Sequence, residues 1–435
     1  MPSLTAASAD RWAVELLALA LAAIGTLLLR RHPRLAVLSY LLVLAFVPVW
    51  AGVTVKVYFE PQVLWGLLVL AVLLTAAGRL RPRSTAADGL VAGFLLVSLA
   101  PLLVGGATLS GVFVLVVQWT GAYAVGRLAG HRVGYAWCLD AIAVVFTVVG
   151  ALAVVEYLTG VDLFLSIPGS AAQFAEWGTL QERGGVLRAE GAFGHSIALG
   201  AALAMAVPMA LASGFRVWIR IAMVLVMVSG VAVTFSRIGL VSVALGIVLS
   251  IVSLRELPAR LRGLLAGAVT VAAAALYPIV AGVFTAAGDE ATNSAAYRGD
   301  LLSLVGQMRA LGVSAGYHVS PTGHASFGGF RSIDSALILQ GLTYGWLSLA
   351  LVLLLLALGV GAVLLRRASA PAIALVAQIP ALATVALITQ YSTMIWFVAG
   401  LAVFAAAERR ASAQRVVDLA PPAAPGAVPA GTSIG

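Results

Sequence analysis

Long runs of apolar residues, separated by short segments that contain arginine, recur along almost the whole chain. Each run has roughly 17–25 residues, the length that an α-helix needs to cross the hydrocarbon core of a bilayer. The chain is 62% hydrophobic and only 10% charged, whereas a soluble domain has about 25% charged residues. The sequence therefore predicts an all-α integral membrane protein with about 12–13 transmembrane helices and two long outer loops.

The limits of the predicted spans follow from where the apolar runs begin and end. They are 11–29, 35–52, 61–78, 89–105, 109–126, 134–156, 193–213, 217–234, 238–254, 263–283, 334–365, 371–388 and 391–407. The stretch 334–365 is too long for one straight helix that crosses the membrane.

Most of the 26 basic residues fall in every second loop between these spans. An excess of Lys and Arg marks the cytoplasmic side of a membrane protein. This assigns the formal net charge of +9 to helix ends rather than to nucleic-acid binding, and it places the N-terminus outside and the C-terminus in the cytoplasm. The residues concerned are Arg30, Arg31, Arg34, Arg79, Arg81, Arg83, Arg127, Arg132, Arg216, Arg220, Arg255, Arg260, Arg262, Arg366, Arg367, Arg409 and Arg410.

Within the predicted membrane domain, residues 1–410, two long loops fall on the opposite side, at about 157–192 and 284–333. Loops of this length are uncommon unless they are functional or disordered, and both contain aromatic and apolar residues. The second loop includes a predicted amphipathic helix over 297–311, with Leu301, Leu304, Met308 and Leu311 on one face and Arg298 and Arg309 beside them. The Pro/Ala-rich residues 411–435 are predicted to be a disordered cytoplasmic tail.

Six arginines lie in outer loops, where basic residues are normally scarce. A planar guanidinium group is suited to binding phosphate, so we interpret the set as a site for an anionic ligand. Arg188 precedes a helix that is predicted to start near Phe193, and a helix N-terminus also attracts anions. The six are Arg183, Arg188, Arg237, Arg298, Arg309 and Arg331.

Three of these arginines have an alternative role. Arg188 could pair with Glu182 or Glu190, and Arg237, in a very short turn, could be a helix-end residue that reaches toward the membrane surface. Arg298 could contact only lipid headgroups.

Asp334 is the leading candidate for a catalytic base, because a carboxylate where a loop re-enters the membrane is costly unless it is solvated, paired or functional. It could instead cap the helix that follows. His324 and His318 are alternative bases, and His195 could orient Glu190 or an arginine.

The sequence contains no metal-binding motif, Walker loop or dinucleotide fingerprint, so no metal or other cofactor is predicted. The single cysteine, Cys138, is predicted to be packed and inert. Asp140 and Glu156 lie near opposite ends of one span, where a packing or interfacial role is expected.

Four stretches, in this order, resemble the O-antigen ligase and O-antigen polymerase superfamily of bacterial multi-spanning glycosyltransferases: LRAEGAFGHSIALG, FSRIGL, AAYRGDLLSLVGQMRALGVSAG and SIDSALILQGLTYGW. The resemblance covers roughly residues 140–365. Arg188, Arg237 and Arg298 match the family's arginine positions. The ligase motif has His, then Asn, Ser or Gln, then nine residues, then Gly. Asp334-Ser335 and Gly345 keep this spacing but replace the His, which favours the polymerase branch.

The resemblance implies a GT-C-like fold in the bacterial plasma membrane, with the active face outside. It also implies a donor glycan carried on undecaprenyl diphosphate, an acceptor glycan, and metal-independent transfer with inversion. The expected catalytic residues are Asp334, Arg188, Arg298 and His324. The expected substrate-binding residues are Arg237, Arg183, Arg309, Arg331, His195 and Glu190.

Two other functions are open at this stage. A ligase would transfer the finished glycan to a lipid, cell-wall or protein acceptor. A transporter of lipid-linked sugars would need polar residues along the middle of several spans, and here polar residues concentrate in the outer loops.

Overall fold

The computed structural model describes residues 23–55, 57–78, 83–183, 186–254, 257–268, 270–271, 297, 299–319 and 325–419. Helices dominate these residues. They are α1 (Pro33–Phe46), α2 (Pro61–Thr75), α3 (Ala86–Leu99), α4 (Leu109–Val133), α5 (Tyr135–Thr159), α6 (Ala171–Trp177), α7 (Ser196–Leu211), α8 (Val217–Val233), α9 (Arg237–Ser253), α10 (Ala336–Tyr344), α11 (Trp346–Leu364), α12 (Ala370–Thr384) and α13 (Thr389–Leu419).

Three small antiparallel hairpins lie in loops of the described part of the chain. They are formed by β1 (Val53–Val55) and β2 (Val57–Phe59), by β3 (Glu182–Arg183) and β4 (Val186–Leu187), and by β5 (Tyr317–Val319) and β6 (Ala325–Phe327). The last two hairpins belong to the two long loops that the sequence singles out.

The prediction of an all-α membrane protein is confirmed. Five described helical segments are long and apolar enough to cross a membrane, and six more apolar helices have 10–17 residues. The predicted spans 11–29 and 263–283 lie largely outside the described residues. All the other predicted spans overlap one of these apolar helices. The total number of spans and their sidedness stay predictions. The predicted disordered tail, 411–435, is wrong in its first part, because α13 continues as a helix to Leu419. Residues 420–435 are outside the described residues.

Helix α7 is the centre of the core. Every residue of α7 except Ile197 is buried, and α5, α8, α9 and α12 all pack against it. Its sequence has six alanines and one glycine, and such small residues let neighbouring helices approach closely inside a membrane. A Cβ atom at Gly200 would lie 2.9 Å from Thr234 Oγ1, so the start of α7 touches the turn between α8 and α9.

Three predicted spans are interrupted. Residues Val114–Trp119 form a π-helical turn within α4. Gly345, with φ of 92°, separates α10 from α11, as the length of 334–365 requires. Residues 385–388 separate α12 from α13. Non-helical backbone at membrane depth is tolerated only where protein or a water-filled cavity surrounds it, and interruptions of this kind often lie at functional sites.

The predicted amphipathic helix over 297–311 is wrong in its second half. Helical residues end at Ser303, a 3-10 turn follows over Leu304–Gln307, and the chain is then extended at Met308 and bends over 310–313. The reason is competition from tertiary hydrogen bonds. The segment 309–314 exchanges backbone bonds with 342–347 and with Gly106, for example from Trp346 N–H to the Arg309 carbonyl at 2.9 Å.

The apolar face of this predicted helix is only partly buried. Leu301, Leu304 and Met308 are buried, but Leu311 is exposed. Arg309 therefore lies on the extended segment rather than on a helix, and Arg298 lies outside the described residues.

Candidate functional site

Arg188 lies where the first long loop docks against the end of α8. Its backbone N–H donates to the Gln181 carbonyl at 3.0 Å, and the next N–H, of Ala189, donates to the Val233 carbonyl at 3.1 Å. The guanidinium group donates from Nε to the Thr234 carbonyl at 2.9 Å and from one terminal nitrogen to Gln181 Oε1 at 3.2 Å. These two bonds come from different nitrogens of the guanidinium group and together fix its plane.

The turn that carries Arg237 is the same turn that holds Arg188. Thr234 Oγ1 donates to the Val231 carbonyl at 2.7 Å and accepts from Ser236 N–H at 3.2 Å. The next residue, Phe235, has φ of 48°, a strained value for a bulky side chain. Ser236 caps α9 by accepting from Gly239 N–H at 3.1 Å. Arg237 is thus the first residue of α9 and is exposed, three residues after the carbonyl that Arg188 binds.

Glu190 lies on the buried side of the loop that carries Arg188, where its hydrogen bonds hold the loop in place. It is 1% exposed, and Oε1 accepts from Gln181 N–H at 3.2 Å. Its own N–H and that of Gly191 donate to the two carboxylate oxygens of Glu156, at 2.8 and 3.0 Å. Burial, and then the nearby Glu156, raise the pKa of Glu190 to about 7, while Arg188 acts in the opposite direction. Glu190 is therefore not on an accessible surface.

His195 caps α7, since its Nδ1 accepts from Ile197 N–H at 3.1 Å. The helix proper begins at Ser196, three residues later than the sequence predicts, after a 3-10 turn over Gly191–Phe193. Burial and the charge of Arg188 lower the pKa of His195 to about 4. The ring is therefore neutral at physiological pH and is held by the cap and by an edge contact with Trp177, at 6.2 Å between ring centroids.

Gln181 joins these groups, and sequence reasoning missed it. Its side-chain oxygen accepts from both Arg188 and Ser196, and its backbone N–H binds Glu190. Nothing in the local sequence distinguishes it, because its role depends on the fold of the loop.

A second polar region that the sequence did not reveal lies at the head of α13. Gln390 is fully buried and donates to the carbonyls of Ala192, at 2.6 Å, and Val47, at 3.1 Å. Gln118 Nε2 donates to Ser392 Oγ at 2.8 Å and to Glu60 at 3.4 Å. The only sequence signal is the polar run TQYST, residues 389–393, at the start of an apolar span.

Several oxygens in this second region are buried and have no hydrogen-bond partner among the described residues: Gln62 Oε1, Thr389 Oγ1 and Gln390 Oε1. Burial raises the pKa of Glu60 to about 7, although its bonds from Gln62 and Gln118 act in the opposite direction. Thr389 has φ of 45°, a strained conformation of the kind often found at functional sites.

Asp334 and Arg331 lie together on the exposed segment before α10. Ser332 Oγ donates to Asp334 Oδ1 at 3.1 Å, and Tyr297 donates from its hydroxyl to the Ser332 carbonyl at 2.8 Å. The alternative that Asp334 caps the helix is wrong, because Ser335 does so by accepting from Ile338 N–H at 3.2 Å. The Asp334 carboxylate is thus left in solvent.

The other predicted site residues are either exposed or outside the described part of the chain. Arg309 is exposed, as is His318 on β5. His324 and Arg298 are outside the described residues, as is the side chain of Arg183.

The interruption between α12 and α13 connects the arginine site to the Asp334 segment. The Val385 carbonyl accepts from Ala336 N–H at 2.9 Å, two residues after Asp334, while Gln390 binds Ala192, four residues after Arg188. Five peptide units between Val385 and Gln390 reach at most about 18 Å. The described contacts therefore link the loop that carries Arg188 and the segment that carries Asp334 through one short stretch of chain, but no described bond joins Asp334 to an arginine of the site.

Among the described residues, no cluster of three or more His, Cys, Asp or Glu is placed to hold a metal ion. Comparisons of the chain with protein-family models, with curated proteins and with solved structures found no match. The function must therefore be argued from the chemistry of the site.

Proposed function

We propose that this protein is a glycosyltransferase that transfers a glycan from undecaprenyl diphosphate to an acceptor sugar hydroxyl, and that it polymerises surface-polysaccharide repeat units on the outer face of the plasma membrane. The observation that carries the proposal is the arrangement of Arg188 and Arg237. The Arg188 guanidinium is held by the Thr234 carbonyl, three residues before the exposed Arg237 that starts α9. One turn thus carries two guanidinium groups, the side-chain type best suited to bind a diphosphate.

The proposed reaction is a single displacement. The acceptor oxygen forms a bond to the anomeric carbon as the bond between that carbon and the diphosphate oxygen breaks. The electron pair leaves with undecaprenyl diphosphate, and the acceptor proton goes to the Asp334 carboxylate. Because attack and departure occur on opposite faces, the anomeric configuration inverts.

The arginines would act on the leaving group. Negative charge develops on the diphosphate as the bond breaks, and donors already fixed in position stabilise it without reorganising. The bonds from Arg188 to Thr234 and Gln181 supply this fixed position. Arg237 adds positive charge from the next helix, and Arg298 is proposed to act with them.

Asp334 is exposed and accepts a hydrogen bond from Ser332, so its carboxylate is accessible to an acceptor hydroxyl. His324 is the second candidate for the base. Arg309 and Arg331, which are both exposed on the same loop, are proposed to bind the sugar–phosphate part of the substrates.

The test uses the purified full-length protein in lipid nanodiscs with lipid-linked repeat units as the only substrate. Arg188→Lys is expected to lower the rate of chain growth by about 100-fold, because lysine keeps the charge but not the bidentate geometry. Arg298→Lys should also lower the rate. Arg34→Lys, at the start of α1, is the matched control and should retain the wild-type rate.

The outcomes separate the three candidate functions. Full activity of both Arg188→Lys and Arg298→Lys would overturn the proposal. Growth without another acceptor indicates a polymerase, whereas transfer only after addition of a lipid, peptide or cell-wall acceptor indicates a ligase. Movement of the lipid across a proteoliposome membrane with no new glycosidic bond would show a transporter.

A further inference from the structure

An elongated cavity of about 210 Å³ lies between α3, α4, α10, α11, α12 and α13. This is many times the room that one water molecule needs. Its walls are almost entirely apolar and include Val91, Leu355, Ala362, Ala372 and Ala399. Apolar cavities of this size favour hydrocarbon over water.

The cavity follows the long axes of the helices. On α11 the lining runs from Val352 to Ala362, and on α13 it runs from Ile395 to Arg409. At a rise of 1.5 Å per residue these stretches are about 15 and 21 Å long. The cavity thus extends along helices that are long enough to cross a membrane, in the direction that a lipid chain takes in one leaflet.

One end of the cavity is basic. Arg409 is among its lining residues, and Arg410 follows it. The end of α11 brings two more arginines to this end, since Arg367 N–H donates to the carbonyl of the lining residue Ala362 at 2.7 Å. The side chains of Arg366, Arg367, Arg409 and Arg410 are all exposed. Clusters of basic residues at a membrane surface attract anionic lipid headgroups.

We propose that this cavity binds one acyl chain of an anionic phospholipid whose phosphate lies against Arg366 and Arg409. Charge complementarity decides between this occupant and a substrate lipid. The proposed donor site, at Arg188 and Arg237, contributes no residue to the cavity, and the opposite end of the cavity, near Ala336, begins two residues after the acidic Asp334. The four exposed arginines lie at the end of the cavity far from Asp334, so charge complementarity places the phosphate of the bound lipid there and not at the proposed donor site. The inference does not depend on the proposed transferase activity.

The experiment is native mass spectrometry of the purified full-length protein with added phosphatidylglycerol, phosphatidylcholine or undecaprenyl phosphate. The wild-type protein should retain phosphatidylglycerol in preference to phosphatidylcholine. Ala362→Leu places a larger side chain in the basic end of the cavity and should reduce this retention by at least about 10-fold. Ala350→Leu changes an exposed position on the same helix and should retain the lipid as the wild type does.

A second variant tests the inference independently if Ala362→Leu fails to fold. Arg366→Gln/Arg409→Gln changes only exposed side chains, and it should reduce the preference for phosphatidylglycerol over phosphatidylcholine by about 10-fold. Unchanged phosphatidylglycerol binding in both variants would overturn the inference. So would displacement of phosphatidylglycerol by an equimolar amount of undecaprenyl phosphate. The measurement counts bound lipid and does not depend on glycosyl transfer. A result that overturns the inference would therefore leave the transferase proposal unaffected.

Discussion

At the scale of single residues, Arg188 and Glu190 are two ionisable residues of one loop that differ in exposure. Arg188 is half-buried and its guanidinium is held by the Thr234 carbonyl and Gln181, whereas Glu190 is enclosed behind it. An enclosed carboxylate is less costly when it is protonated, which is why its pKa is raised to about 7. The loop thus has the Arg188 guanidinium on its more exposed side and the titratable Glu190 carboxyl on its buried side.

This arrangement predicts that Glu190 makes stability depend on pH. The folded-state pKa of about 7 lies above the ordinary value of 4.5, so between these values the folded protein keeps a proton that the unfolded chain has released. The free energy of unfolding should therefore fall as pH rises from about 4.5 to about 7 and stay level above. Glu190→Gln should remove this contribution and leave the variant more stable than the wild type at pH 8.

The measurement is the thermal unfolding midpoint in detergent from pH 4 to pH 9, expressed as the difference between variant and wild type. The difference is needed because His195, with a pKa lowered to about 4, contributes with the opposite sign between about 4 and 6.5. Glu176→Gln, at an exposed position of α6, is the control. A difference curve for Glu190→Gln that is as flat as that of the control would contradict the prediction.

At the scale of elements, close backbone contacts between helices add to the packing of the large buried side chains. Helices α4 and α13 touch backbone to backbone at Gly126 and Gly400: a Cβ atom at either glycine would overlap a backbone oxygen, of Phe397 or of Tyr123 respectively. In a membrane, where lipid is as apolar as the helix surface, such close packing is a main source of association. The pair also holds Gln118 beside Ser392.

Gly126→Ala should therefore destabilise the protein by about 1–3 kcal/mol, because the added methyl group must push α13 away from α4. Gly121→Ala lies on the same helix with open space where its Cβ would be. That control should be neutral or slightly stabilising, since Ala favours a helix over Gly. Chemical unfolding of the two variants in the same detergent compares them, and equal stability of both would show that the α4–α13 contact is not tight.

At the scale of the whole molecule, the interruption between α12 and α13 brings separate loops together. It binds Ala336 on one side and Ala192 on the other, so the segment carrying Asp334 and the loop carrying Arg188 share one support. The lipid cavity is lined by α12 and α13 as well. Helices α12 and α13, with the break between them, thus contribute to both the proposed transferase site and the proposed lipid cavity.

The predicted topology places the first long loop outside the cell and the far end of α13 in the cytoplasm. The native cysteine, Cys138, is buried, so new cysteines can report accessibility without background labelling. Ala172→Cys lies on the exposed surface of α6 in the first long loop, and Ser412→Cys is exposed near the far end of α13. In intact cells a membrane-impermeant maleimide should label Ala172→Cys only, and Ser412→Cys should react after permeabilisation. The reverse pattern would place the arginine site inside the cell and remove the basis of the proposed function.

The sequence by itself determined the class of protein and the positions of its apolar helices. Both follow from local composition, because a run of apolar residues favours a membrane helix whatever its neighbours are. It also singled out Arg188, Arg237 and Asp334 as unusual residues, since their type and place in the chain are visible without a fold.

The tertiary structure alone decided which residues meet. It placed Gln181 between Arg188 and Glu190, ended the predicted 297–311 helix early, and made Ser335 rather than Asp334 the cap of α10. It also gathered Glu60, Gln118 and the head of α13 into one polar region. These outcomes depend on hydrogen bonds between residues far apart in the chain, and such bonds leave no periodic or compositional signal in the sequence.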